Sequence, residues 1–259
     1  MKVLIHQTQA TAADCVAGLF ADRLARQPET VLGLATGGTM EAVYDRLIAR
    51  FEAGEMSMAQ AQSFNLDEYV GLSPDHPCSY WHYMREKLFN HVDMRPEFSF
   101  LPKGDAQDAE VEATRYEAAI LKAGDIDLQL LGLGANGHIG FNEPTSSLSS
   151  QTRIKTLTRS TREANMRYFD TFEDVPRLAI TMGIGTIMRS DEIVLLAFGA
   201  GKANVVAKMI EGPISAACPA SILQMHRKVT VVLDEAAASA LALRAYYEEV
   251  HPEVRAATI

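Results

Sequence analysis

Only three cysteines occur in the 259-residue chain, Cys15, Cys78 and Cys218, and no two of them form a C-x-x-C pair. An odd, scattered set supports neither a disulfide framework nor a thiolate zinc site, and it fits a reducing cytoplasm. Positive charge is also scarce: 24 Lys and Arg face 33 Asp and Glu, a formal net charge of -9. That balance argues against nonspecific binding of nucleic acid or of an anionic membrane, so any anion site has to be a local pocket. No apolar run approaches the roughly 18 residues that a spanning helix needs, and residues 1–6 are too short for a signal-peptide core. The expectation is a soluble, cytoplasmic protein with no membrane and no nucleic-acid partner. Linkers rich in Gly, Pro or Ser, low-complexity tracts and internal repeats are missing as well. Nothing therefore marks a domain boundary, and a 47% apolar chain of this length suits one α/β domain over residues 1–259.

What the chain does have is regular alternation. Short β-branched runs at 2–6, 31–35, 62–66, 127–132, 178–181, 193–198 and 229–233 predict strands. Apolar residues at three- and four-residue spacing predict helices near 10–26, 40–53, 79–91, 106–123, 161–169, 201–210 and 235–248. Strand–helix alternation of this kind predicts an α/β fold with a Rossmann-like, doubly wound, mostly parallel sheet and helices on both faces. In such folds the chemistry sits at the carboxyl ends of the strands.

Three strand ends carry candidate groups. After the run 127–132, the glycine-punctuated stretch 134–152 places Asn136, His138 and Glu143 in a loop. Gly132, Gly134 and Gly137 spell G-x-G-x-x-G, but Pro144 closes the segment too soon for the helix that a dinucleotide fingerprint requires. His138 and Glu143 also lack the helical H-E-x-x-H spacing of a zinc site; a proton-shuttling histidine needs only hydrogen-bond reach. After the run 31–35, Thr36, Gly37, Gly38 and Thr39 lead into a helix. Strand, glycine turn and helix make an anion cradle, although an ordinary capped turn has the same pattern. No G-K-[ST] follows, so it is not a Walker A loop, and a sugar phosphate suits it better than a nucleotide. Arg167 and Lys202 are the cations available to clamp such a phosphate. After the run 62–66 come two adjacent carboxylates, Asp67 and Glu68. Alternation in a strand sends them to opposite faces, so one meets the crevice while the other pairs or caps elsewhere, and spacing leaves open which. No G-x-S-x-G elbow supports a serine nucleophile.

Taken together, the motifs at 33–39, 64–72, 134–144 and 149–153 closely resemble the glucosamine-6-phosphate deaminase family. The likeness continues through 161–165 with Arg167, through 182–186 and into 199–203, and so covers nearly the whole chain. The resemblance implies conversion of an amino-sugar phosphate, glucosamine 6-phosphate, and water into fructose 6-phosphate and ammonia, with no metal, nucleotide or other cofactor. It implies Asp67 as the general base and His138 as the ring-opening group, oriented and tuned by Asn136 and Glu143. The turn of Thr36, Gly37, Gly38 and Thr39, with Arg167 and Lys202, matches the phosphate site. Some members carry aspartate where Asn136 stands; asparagine cannot supply a negative charge beside the histidine, so Glu143 is the residue expected to provide it. Ser146, Arg153, Lys155 and Thr156 resemble the effector site through which oligomeric members respond to N-acetylglucosamine 6-phosphate, and a homo-oligomer is expected on the same ground.

Rival readings keep the fold. A galactosamine-6-phosphate enzyme would differ only in the epimer it accepts. A 6-phosphogluconolactonase needs no carbon-acid base, which the Asp67 region supplies. A non-catalytic sugar-phosphate sensor should lack the groups that Asp67, His138 and Glu143 provide.

Overall fold

The computed structural model describes residues 1–252. In chain order the first half runs β1 (Lys2–His6), α1 (Gln9–Arg26), β2 (Val31–Leu34), α2 (Gly38–Glu52), β3 (Gln62–Asn65), β4 (Asp67–Tyr69), α3 (Tyr80–Lys87), β5 (Ser99–Phe100), α4 (Ala109–Lys122) and β6 (Leu128–Gly132). It continues with β7 (Arg153–Thr156), α5 (Arg159–Asn165), β8 (Leu178–Thr181), α6 (Ile184–Met188), β9 (Glu192–Ala197), α7 (Ala203–Ile210), β10 (Val229–Asp234) and α8 (Arg244–Val250).

Seven strands form one parallel sheet in the order β1-β10-β9-β6-β2-β3-β5, flanked by helices. Its inner strands are near-continuous apolar runs because both faces are covered: β2 buries all four of its residues and β9 the last five of six. Helix α1 begins where Thr8 and Thr11 satisfy each other's backbone N–H groups, and α4 begins where Asp108 accepts from Glu110 and Val111. The chain steps from β2 outward to β3 and β5, then returns to β6 on the other side of β2 and steps away to β9 and β10. The strand order thus reverses between β2 and β6, which opens a crevice at their carboxyl ends.

Three expectations are corrected. The run 178–181 is a strand, β8, but it stands in a separate antiparallel sheet, β4-β8-β7, and not in the parallel one. Residues 153–156, for which no strand was expected, form the half-buried strand β7 of that sheet. The helix expected over 235–248 exists only as α8, from Arg244 on. Upstream of it, Asp234 accepts hydrogen bonds from Ala237 N at 2.8 Å and Gly199 N at 3.0 Å, which folds the alanine-rich stretch into turns despite its helical propensity. Two other helices are shorter than their periodicity implied: α5 and α3 each give way to a tight 3-10 turn, Met166–Tyr168 and Phe89–His91.

Candidate active site

A cleft of about 480 Å³ opens at the reversal point, lined by the segments that follow β2, β3, β6 and β9 and by α5. Its groups come from six separate stretches of chain, and it gathers the 36–39 turn, Asp67, Asn136, His138, Arg167 and Lys202.

One wall is the start of α2. Gly37 holds φ at +112°, a conformation that favours glycine, and caps the helix with no side-chain hydrogen bond. Met40 N closes back on Gly37 O at 2.9 Å, so the N–H groups of Gly38 and Thr39 are the ones left to a ligand, and the helix dipole adds partial positive charge at the same place. Tyr83 holds the turn from behind by donating to Gly37 O at 2.9 Å. Arg167 overhangs α2: a Cβ on Gly38 would stand 3.7 Å from its Nη2. Lys202 sits on the tight turn Ala200–Lys202 after β9, donates from Nζ to Leu133 O at 2.6 Å, and is held below the ordinary lysine pKa by burial.

Asp67 forms the floor. The chain leaves the parallel sheet at Leu66, where Leu66 N bonds Leu34 O at 3.1 Å, and enters the antiparallel one with Asp67 as the first residue of β4. Only 6% of Asp67 is exposed. Burial pushes its carboxyl up to about 8, the neighbouring Glu68 charge pushes the same way, and the Thr181 hydroxyl and Phe141 N–H oppose them. Glu68 points away from the cleft, as alternation requires. It accepts from Tyr69 N, Tyr80 N and Trp81 N at 2.9, 3.0 and 3.0 Å and so caps the first turn of α3; burial raises it to about 7.

The third element is the loop after β6, which contains no helix. His138 N donates to Asn136 Oδ1 at 3.2 Å, and Gly134 N donates to His138 O at 2.9 Å, so the loop folds back on itself and presents the imidazole. Its Nδ1 lies 3.5 Å from Glu143 Oε2, a close approach rather than a formed hydrogen bond. Glu143 is buried and accepts from Asn136 Nδ2 at 2.6 Å, from Thr158 Oγ1 at 3.2 Å and from the Thr161 hydroxyl. Burial alone would raise its pKa; the groups facing it, His138 and Thr161 foremost, outweigh burial and hold it down to about 2. Glu143 is thus a fixed negative charge beside a histidine that reaches the cleft.

The effector candidates lie outside the cleft. Arg153 and Lys155 occupy alternate positions on β7 and share a face; burial lowers both, and the Arg153 charge lowers Lys155 further. Thr156 is exposed, and Ser146 is buried with its N–H on Glu143 O at 3.0 Å. Sequence reasoning assigned nothing to Tyr80, Thr158, Thr161 or Thr181, which complete the site. Tyr80 lines the cleft with its ring stacked on Phe141, and Thr181 reaches it only across the small sheet. Among the described residues no cluster of three or more His, Cys, Asp or Glu could hold a metal ion, and no helix is long and apolar enough to cross a membrane.

Fold and cleft together define a doubly wound α/β protein whose cleft sets a buried carboxyl, Asp67, and a histidine, His138, beside the glycine turn that starts α2. A family model described as glucosamine-6-phosphate isomerases/6-phosphogluconolactonase matches residues 6–232. The chain belongs to that family. It is 54% identical over 245 residues to a glucosamine-6-phosphate deaminase of Rhodopirellula baltica, covering 95% of this chain and 98% of that one. It is 49% identical over 253 residues to the Cellvibrio japonicus protein of the same name, covering 98% and 96%. A solved structure described as a monomeric glucosamine-6-phosphate deaminase superposes with a TM-score of 0.91 at 48% identity, covering 93% of this chain and all of that one. The 6-phosphogluconolactonase of Trypanosoma brucei, at 20% identity and a TM-score of 0.74 over 93% of this chain and 98% of that one, shares the fold.

Proposed function

We propose that this chain is a glucosamine-6-phosphate deaminase acting as one domain over residues 1–259, in the cytoplasm, without a cofactor. The observation that carries the reading is a buried carboxylate of raised proton affinity, Asp67, lining the same cleft as His138 and an uncapped helix turn. The names of the relatives at 46–54% identity support the deaminase over the lactonase, whose solved structures stand at 17–20%.

The chemistry follows from the placement. The phosphate seats on Thr36–Thr39 N–H and hydroxyl groups between Arg167 and Lys202, and that remote binding energy positions the reacting end. His138 takes the proton of the C1 hydroxyl and returns one to the ring oxygen, so the C1–O5 bond breaks and the open aldehyde forms. Glu143 steadies the positive charge that the imidazole carries in transit, while Asn136 holds Glu143 and the loop. Asp67 then removes the C2 proton; the electron pair moves into the C1–C2 bond and onto the carbonyl oxygen. Delivery of that proton to C1 leaves an imine at C2, which water attacks, and ammonia leaves as the C2 carbonyl of fructose 6-phosphate forms. A carboxylate raised towards 8 is a stronger base for a carbon acid than an ordinary aspartate.

The same reading extends to regulation. Ser146, Arg153, Lys155 and Thr156 receive N-acetylglucosamine 6-phosphate as an effector of a homo-oligomer; the half-buried cations on β7 support an anion there. The monomeric relative marks the alternative for assembly, and sedimentation of the purified chain decides between them.

Ammonia release from glucosamine 6-phosphate, with galactosamine 6-phosphate beside it and Asp67→Asn as control, tests the assignment. Release from the first substrate, abolished in the variant, is expected. Preference for the second would move the assignment to the galactosamine enzyme, and binding without release would make the chain a sensor.

A further inference from the structure

Tyr168 lies beside the phosphate wall and has no part in the scheme above. It ends the turn Met166–Tyr168, directly after Arg167. Its hydroxyl accepts a hydrogen bond from Arg167 Nη2 at 2.7 Å, and the guanidinium also lies over its ring, 4.7 Å from the centroid. The pair stands above the first turn of α2, where a Cβ on Gly38 would meet Arg167 Nη2 at 3.7 Å and the Tyr168 hydroxyl at 3.9 Å.

The placement is held from two sides. Cys78 Sγ donates to Tyr168 O at 2.8 Å. The next residue, Phe169, sets its ring edge-on against Tyr69 at 5.7 Å and 83°, in the small apolar cluster beside β4. Tyr168 as a residue is 44% exposed, so the core does not require it. What the position contributes is the hydroxyl.

A phenol that accepts from a guanidinium still has its own proton to give. Among the described residues the Tyr168 hydroxyl donates to no protein acceptor, and it lies beside the first turn of α2, 3.9 Å from where a Cβ on Gly38 would stand. Accepting from a cation polarises the O–H bond, and a phosphate oxygen is the strongest acceptor such a donor can meet.

We propose that Tyr168 reads the phosphate of the substrate: its hydroxyl holds Arg167 over α2 and donates its own proton to a phosphate oxygen. The proposal rests on the reading of the 36–39 turn as the phosphate cradle. It makes Tyr168 a binding residue for the phosphorylated end of the sugar, remote from the carbon that reacts.

The test compares wild type with Tyr168→Phe, which keeps the ring, and with Arg167→Ala. The readouts are KM and kcat for glucosamine 6-phosphate and the inhibition constant of inorganic phosphate. Loss of one hydrogen bond predicts that Tyr168→Phe raises both KM and the phosphate inhibition constant by about 3- to 10-fold, more than it lowers kcat. An unchanged inhibition constant in Tyr168→Phe, with Arg167→Ala raising it, overturns the role of Tyr168 and leaves the cradle standing. An unchanged constant in both variants overturns the cradle as well. A fall in kcat alone, with phosphate inhibition intact, also overturns the proposal.

Discussion

The imidazole of His138 lies flat against Gly134. A Cβ at position 134 would stand 2.3 Å from Nε2 and 2.4 Å from both Cδ2 and Cε1 of the ring. Residue 134 is therefore glycine for lack of room, and its backbone forms the surface on which the ring rests.

Gly134→Ala pushes the ring off that surface. Because a displacement of about 1 Å can cost on the order of 100-fold in rate, the variant should lose about 10- to 100-fold in kcat while folding normally. Steady-state kinetics beside circular dichroism measure the two parts; wild-type turnover would mean that His138 does not act from this position.

Glu143→Gln removes the charge beside His138 and gives Asn136, Thr158 and Thr161 a poorer acceptor. Turnover should fall by about 100-fold or more, within the range for a misplaced or unsupported proton shuttle. Unchanged turnover with an intact pH profile would rule out Glu143 as the source of charge. Stability responds too. A carboxyl held down to about 2 stabilises the fold above the ordinary glutamate range and loses that contribution as pH falls towards 2, so wild type should lose more stability than Glu143→Gln in acid.

Asp67 has the opposite sign. Its pKa is raised to about 8, so the folded protein holds a proton that the unfolded chain releases near 4, and ionising it costs stability increasingly from pH 4 to pH 8. Asp67→Asn should abolish ammonia release and raise Tm, with a gain over wild type that grows with pH across that window. Parallel melting curves at pH 5 and pH 8 check it; an equal or reversed gain would count against the raised pKa. In wild type, kcat/KM should climb as pH rises towards 8, as the base ionises.

Glu117 ties α4 to α6 and to the entry of β7. It is buried and accepts from Thr152 N at 3.0 Å, from Thr186 Oγ1 at 2.9 Å and from Arg189 Nη2 at 2.8 Å. Glu117→Ala orphans these donors and should cost about 2–4 kcal/mol, read by urea unfolding. The Glu117 carboxyl is held below its usual range, its hydrogen bonds overcoming burial, so this contribution too is present at neutral pH and lost in acid.

Much of the parallel sheet was legible because its strands are continuous apolar runs and its helices have a clear stripe, both of which are local patterns. The split between Asp67 and Glu68 was legible for the same reason, since alternation needs only neighbours. The small sheet was not. Its strands are three and four residues long, and β4 finds its partner more than 100 residues away at β8, so no window of sequence contains the pairing. Tyr80 was missed because its place depends on Glu68 capping α3, and Tyr168 because nothing in sequence reveals that its hydroxyl meets Arg167. At 235–242 a favourable helical composition lost to the hydrogen bonds that Asp234 accepts from Ala237 N and Gly199 N.

On the small sheet, Thr181 of β8 is paired with Asp67 on one side and with Arg153 on the other. The expected base and the first residue of the expected effector strand are thus two ends of a single rung, spanning about 10 Å. An anion drawing Arg153 outward would strain a three-stranded ribbon whose far edge is the active-site floor. On the effector reading proposed above, communication along that line needs no hinge and no second subunit, because a change in ribbon twist within one chain reaches the carboxyl.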